Sequence, residues 1–351
     1  MKNKLFYYLG ILLLAVVIFS CNGSQRTSFS DFPATLSPES RLIELEEPYV
    51  HGRLHVYDTL IFLTNTPQNP YQVHVYTEDF RYIKSAGLTG SGPGEITNPF
   101  FAAVDEDQQI LWFMDLGKRV FHKFQIDSLL NDALYFPRKN IPVPDDKFVI
   151  IQYFPLDNTV FSYSDFNVSP PMISFFDEEN PKIDSLIIPD GIVEGFHHNQ
   201  GNAFLNSFVY HHHPAKEKMV LANRFSDVIA IIDHDGKVLS YRQGPDMITQ
   251  VPDHTKQNQI STYESLQVDE SFIYALYFGD TTLNENQELI APKSIHIFNW
   301  EGEPVARIKL DHHLTSFTLD RKNKRLLGFC MEMGSIAEYS LKDFYAKYQV
   351  N

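Results

Sequence analysis

The chain has 351 residues, is 43% hydrophobic and 14% aromatic, and carries a formal net charge of −15. That length accommodates two average domains or one large all-β domain, and the apolar share is enough to bury a sizeable core. Charge of this sign and size argues against nucleic acid and anionic membrane surfaces as partners, and suits cationic or neutral ligands.

The first element is a targeting segment over residues 1–20. Lys2 and Lys4 give it a basic start, "LGILLLAVVIF" from Leu9 to Phe19 is an apolar run, and Ser20 is small. This is the layout of a secretory signal and is short for a spanning helix, the competing reading being an uncleaved anchor. "IFSC" then places Cys21 directly after the small residue. The match resembles a bacterial lipobox. The resemblance implies a lipidated Cys21, several acyl chains holding the protein stably on a membrane, and a location in the bacterial cell envelope. The residues after Cys21 lack an acidic run of the kind that resembles a surface-export signal, so the anchor is expected to face the periplasm.

Residues 21–40, "CNGSQRTSFSDFPATLSPES", are rich in Ser, Thr and Pro and read as a tether. The other cysteine, Cys330, lies in the apolar run "LLGFCMEM" and reads as a buried thiol without a disulfide partner.

From Arg41 to the end, short apolar runs alternate with turn residues, and no long segment has a helical period. The runs recur. "HVYDTLIFLTN", "AAVDEDQQILWFMD", "FPLDNTVFSYSD", "LQVDESFIYALYF" and "FTLDRKNKRLLGFC" share an apolar residue, an Asp, a polar turn and a strand. An Asp there can accept from backbone N–H groups two residues on and close the turn. Each copy has a second half of strand, turn and strand, with "DHDG" and "WEGE" as hairpin signals. Copies begin near residues 51, 101, 148, 203, 262 and 314, a spacing of about fifty that suits propeller blades. The expectation is an all-β, six-bladed β-propeller over residues 41–351, four strands to a blade. A sandwich has no need of six equivalent units, and a β-helix has a shorter period. "RLIELEE", Arg41 to Glu47, alternates like a strand and is expected to complete the last blade.

"GSGPGE", Gly90 to Glu95, has the glycine content of a phosphate loop. A Walker loop needs Lys and Ser or Thr after its last glycine, with a helix starting there. Here Glu95, Ile96 and Thr97 follow, so no nucleotide is expected. Gly90, Gly92, Pro93 and Gly94 read as a blade junction, the glycines free to take positive φ and Glu95 a solvated turn carboxylate. The stretch "GSGPGEITNPFFAAVDEDQQILWFMDLGKRVFHKFQID" resembles the junction of NHL-type propellers. More closely, it resembles the six-bladed, TolB-like β-propeller lipoproteins of Bacteroidota. The resemblance implies a fold and little about activity.

Of fourteen histidines, seven cluster at His197–His198, His211–His213 and His312–His313. Adjacent residues on a strand face opposite ways, so a metal site needs imidazoles from different blades; His198, His212 and His312 are the candidates. Solvated loop histidines are the competing reading, and no metal or other cofactor is expected. "DEDQQ", "DEEN" and "DHDG" lack the spacing of a calcium loop. There is no Gly-x-Ser-x-Gly elbow, and no catalytic residue is singled out, although the many acids leave a carboxylate pair open. Two functions remain. One is a non-catalytic binding or assembly lipoprotein with a protein, peptide or glycan ligand. The other is an enzyme of the central channel: a metal-dependent lyase or lactonase, or a glycan hydrolase.

Overall fold

The computed structural model describes residues 26–46, 52–64, 66, 70–132, 135–137, 140–142, 150–155, 161–165, 172–176, 184–188, 208–215, 217–248, 260–281, 294–330 and 333–348. Three short strands open the chain: β1 (Arg26–Ser28), β2 (Thr35–Leu36) and β3 (Arg41–Ile43). The first sheet is β4 (Arg53–Tyr57), β5 (Leu60–Thr64), β6 (Tyr71–Thr77) and β7 (Tyr82–Leu88). The second is β8 (Pro99–Asp105), β9 (Ile110–Asp115), β10 (Val120–Gln125) and β11 (Asn140–Pro142), with helix α1 (Ile126–Asn131) before its last strand. The third is β12 (Ile150–Pro155), β13 (Phe161–Asp165), β14 (Met172–Phe176) and β15 (Asp184–Ile187). The fourth is β16 (Phe208–His212), β17 (Lys218–Asn223), β18 (Val228–Asp233) and β19 (Val238–Gln243). The fifth is β20 (Ile260–Val268), β21 (Phe272–Thr281), β22 (Ser294–Asn299) and β23 (Pro304–Lys309). The sixth is β24 (Ser316–Asp320), β25 (Arg325–Cys330) and β26 (Ser335–Ser340), followed by helix α2 (Lys342–Tyr348).

Neighbours in sequence pair antiparallel throughout, so each sheet is a meander. First strands contact first strands around a closed circuit, β4 to β8, β12, β16, β20, β24 and back to β4. Both faces of a sheet are therefore covered, and the strands read as nearly unbroken apolar runs: β9 and β25 are buried at every residue. The core is a set of layers between sheets. Phe62, Val73 and Val75 meet Leu111, Phe113 and Phe124 between the first two sheets, and Leu276, Ile295 and Ile308 meet Leu326 and Tyr339 between the last two. Cys330 is buried with no disulfide, as the sequence suggested.

Among the described residues, the repeated Asp closes its turn in three copies; Asp157 lies outside them. Asp105 accepts from the Gln108 N–H at 3.1 Å, Asp269 from Ser271 and Phe272 at 2.8 and 2.7 Å, and Asp320 from Asn323 at 3.1 Å. Asp58 differs. It sits in the turn itself at φ 49° and pairs with Lys322 across the sheet boundary at 2.9 Å.

The expectation of a six-bladed propeller with six alike four-stranded blades needs correction, because the sheets are not equivalent. Two of them have five strands: β1 adds parallel to β19 and β2 parallel to β23. The third sheet joins the core through Ile173 and Leu186, which pack with Tyr210, Met219 and Leu221 of the fourth. The signal-peptide part of the expectation finds no support, since residues 1–25, Cys21 included, lie outside the described residues.

The expected tether is likewise corrected over residues 26–40. Besides β1 and β2, Phe32 is 6% exposed and packs on Phe298, with its ring 4.5 Å from that of His296. Arg307 pairs with Asp31 at 2.9 Å, and its backbone N–H donates to the Ala34 carbonyl. Gly244, at φ +134°, lies so close to the Phe29 carbonyl that a Cβ there would overlap it. The polarity of "TSFSDFPATLSPES" concealed two phenylalanines that bury against the rim. Next, β3 pairs antiparallel with β26 and Arg41 bridges Glu338 at 2.8 Å, so the strand expected to complete the last sheet is present over Arg41–Ile43. Residues 26–43 thus form a belt along the outer edges of the fourth, fifth and sixth sheets.

Candidate functional site

The first strands enclose a central cavity of about 470 Å³, lined from five sheets. Its mouth lies at the end where the first strand of each sheet turns into the second: Asp58, Glu106, Arg321 and Lys322, all exposed, come from those turns. Arg53 and His55 are two apart on β4, so the pleat sends them the same way. His211 and His212 end β16, Ser265 and Gln267 come from β20, and Ser316 and Thr318 from β24.

Several of the charges that line the cavity are arranged in pairs. Asp58 is matched by Lys322, and Asp320 lies 2.7 Å from Arg325, which also reaches Glu338 at 2.7 Å. Burial, reinforced by Arg224, lowers the Arg53 guanidinium to about 10, so it stays charged at neutral pH. Arg224 in turn pairs with Glu264 at 3.3 Å. Arg321 donates to the Val268 carbonyl at 2.8 Å. Burial and the Arg53 charge push His55 down to about 3. His211 falls to about 4, mainly through burial, with Arg321 adding to the drop and the hydrogen bond to the His212 carbonyl opposing it. Both imidazoles are therefore neutral at pH 7.

A third imidazole, His296 on β22, is fully buried outside the cavity. It stacks on Tyr277 at 4.0 Å, and neither ring nitrogen has a hydrogen-bond partner among the described residues. Burial, then Arg307, holds it well below the ordinary histidine value. The unfolded chain takes up protons near pH 6.5 and the folded chain does not, so these histidines favour the fold fully above pH 6.5. Each loses up to about 1.4 kcal/mol per pH unit as the pH falls from there towards its folded value. The melting temperature should be level from pH 8 to 7 and fall steadily from 6.5 to 4.5. His296→Phe should make that fall shallower, and thermal unfolding across this range checks both. A flat profile in the wild type would contradict the burial argument.

Of the metal candidates, His198 lies outside the described residues. His212 lines the cavity, 6% exposed, its ring edge-on to Tyr210. His312 precedes β24 and is not part of the cavity wall. The structure does not bring these two together, and no group of three potential metal ligands occurs among the described residues. Arg53, His55 and Arg321 escaped the sequence reading, which weighed clusters of neighbours. The signal was "RLHVYD": in a ring of sheets, alternate residues of a first strand share a face, and here they are Arg and His.

The Gly90–Glu95 loop lies at the blade junction, away from the cavity wall. Gly94 alone takes positive φ, at +75°. At Gly90 and Gly92 a Cβ would instead meet the end of the Glu95 side chain, which would have to shift. Glu95 is not a solvated turn residue. Its Oε2 accepts from the Gly92 N–H at 2.6 Å, while Lys118 donates to the carbonyls of Gly92 and Glu95 at 2.6 and 2.7 Å. Asp115, buried at the end of β9, holds the next stretch by accepting from Thr97, Asn98, Gly117 and Lys118 N–H groups. Burial raises its carboxyl, but hydrogen bonds from His122 and these backbone groups outweigh that and bring it to about 2.

Comparison with known proteins places this geometry in a wider group. Residues 46–322 match a family described as TolB-like 6-blade propeller-like. A member of the DUF4221 family from Bacteroides vulgatus shares the fold at 11% identity, with a TM-score of 0.62 over 87% of this chain and 99% of that one. A protein from Bacteroides fragilis, described as exported, aligns at 10% identity and a TM-score of 0.57 over 90% and 99% of the two chains. The WD40 repeats of RRP9 align at 10% identity and 0.54, over 89% and 100%. No curated protein matches the sequence.

Proposed function

Because the chain belongs to the TolB-like 6-blade propeller-like family, we propose that it is a binding module of the bacterial cell envelope, lipid-anchored through Cys21 and facing the periplasm, whose ligand enters the central cavity. The observation that carries this reading is the cavity itself, an open space of about 470 Å³ whose polar groups come from separate sheets. Concave sites lined by a few convergent polar groups on a rigid frame are where small ligands bind. Its acids Asp58 and Asp320 are held in ion pairs, and its imidazoles His55 and His211 are kept neutral, an arrangement suited to holding a ligand in place. The envelope location is supported by the signal-like start with "IFSC" and by likeness to a Bacteroides protein described as exported.

Two measurements test the reading. Labelled fatty acid should enter the wild-type chain and not Cys21→Ala; equal labelling of both removes the anchor. A ligand that binds only the folded state raises its melting temperature. A panel of sugars and peptides should contain at least one ligand that stabilises the wild type but not Ala103→Trp or Ser265→Phe, both of which fill the cavity. Stabilisation that persists in both folded variants would place the ligand elsewhere.

A further inference from the structure

We infer that the belt is an acid-released strap: protonation of His296 expels Phe32, frees residues 26–36 from the rim, and bares the outer edges of β19 and β23. From residue 27 to residue 46, Phe32 alone is buried, so one side chain holds the belt in the core. What it covers is His296. The two rings are 4.5 Å apart, Tyr277 stacks on the imidazole at 4.0 Å, and Tyr263 and Phe298 stand edge-on at 6.0 and 6.5 Å.

No neighbour is placed to take the extra proton's charge. Arg307 is directly opposite His296 on β23, and like charges at that position repel. Asp31, the belt's own acid, is taken up by Arg307 at 2.9 Å. From β20 and β21 come Tyr263 and Tyr277, the latter donating to Asp246 at 2.6 Å. The fourth sheet packs Val220, Ile229 and Ile231 into the same layer, while its Asp227, with Asp246, acts on the two tyrosines. An imidazolium here is a buried cation without an acceptor, which is stable only once water reaches it. The strands around it cannot give way without breaking a meander. The belt can, because β1 and β2 add only three and two residue pairs at the rim. Lightly held segments of this kind open before the fold does.

Lifted from Phe32, His296 has the proton affinity of an exposed imidazole; covered, it has much less. Below pH 6.5 each further unit therefore favours the open form by up to about 10-fold, and above pH 6.5 the balance is level. The bared edges then present unpaired backbone groups, so acid turns a covered rim into one able to take up another strand.

Hydrogen exchange of the full chain tests this, read by mass spectrometry from pH 8 to 5 and corrected for the intrinsic pH dependence of exchange. Peptides covering residues 26–36, and the Arg307 amide that donates to the Ala34 carbonyl at 2.9 Å, should keep their protection from pH 8 to 7. From pH 6 to 5 they should lose it by about 10-fold. Peptides from β9 and β25, buried at every residue, should stay more protected at each pH. His296→Phe and His296→Leu keep an apolar group beneath Phe32 and should flatten the belt's response; either variant that folds suffices. Belt peptides that exchange in step with β9 and β25 would show that no separate opening exists, and overturn the strap. Protection of the belt that is level from pH 8 to 5 in the wild type overturns it too. So does a loss in acid that survives in the variants, which would assign it to the belt's carboxylate links instead.

Discussion

Deletion of residues 26–43 is expected to produce a chain that aggregates and melts well below the intact protein. Three consecutive sheets lose their outermost strand at once, and each bared edge presents unpaired N–H and C=O groups to other molecules. The loss of packing adds to this. Phe32 is buried against Phe298 and His296, and truncating a buried Phe to Ala costs about 3–5 kcal/mol, so Phe32→Ala alone should lower the melting temperature markedly. Light scattering and thermal unfolding of the deletion, beside Phe32→Ala, measure the two contributions separately. A deletion variant with unchanged scattering and an unchanged melting temperature would mean that the belt merely lies on the rim.

Asp115→Ala is expected to be the most damaging single change in the second sheet. One carboxylate there serves four backbone N–H groups and lies 3.5 Å from the buried His122. Removing it leaves His122 and the Thr97–Asn98 turn without their acceptor, at a cost of about 3 kcal/mol or more. Asp115→Asn keeps one acceptor oxygen and should cost distinctly less. Because the folded carboxyl is depressed to about 2, its contribution is complete above pH 4 and disappears as the pH falls through 2. Comparison of both variants by denaturant unfolding at pH 7 is the check. Equal, small losses would show that water takes over the role of the carboxylate.

Much of this architecture could be read in the sequence because it repeats. An Asp before a turn, followed by an apolar strand, is a local signal, and Asp105, Asp269 and Asp320 act locally as expected. What could not be read depends on distance. Nothing near Phe32 in the sequence shows that residues 296 and 298 will cover it, so a stretch rich in Ser and Pro reads as a tether. The role of Gly90 and Gly92 was misassigned for a similar reason. A glycine that lies beside a neighbour's carboxylate looks the same in sequence as one that takes positive φ. The cavity was the hardest feature to foresee, since Arg53, His211 and Arg321 meet only when the ring closes, and adjacency drew attention to histidine clusters instead.

The belt also governs the order in which the molecule can be completed. Thr27 bonds to Tyr241, Ser40 to Asp311 and Arg41 to Glu338, separations of 214, 271 and 297 residues. A segment that precedes every sheet in the sequence is therefore among the last to find its partners. Each meander can form from neighbours in sequence, whereas the rim must wait for nearly the whole chain, and closing loops of that length carries a large entropic cost before any contact repays it. Fastening of the belt becomes a late, slow step in folding and its release an early step in unfolding. Until it occurs, the fourth, fifth and sixth sheets have open edges, and a chain with an unfastened belt is exposed to pairing with other molecules through that interval.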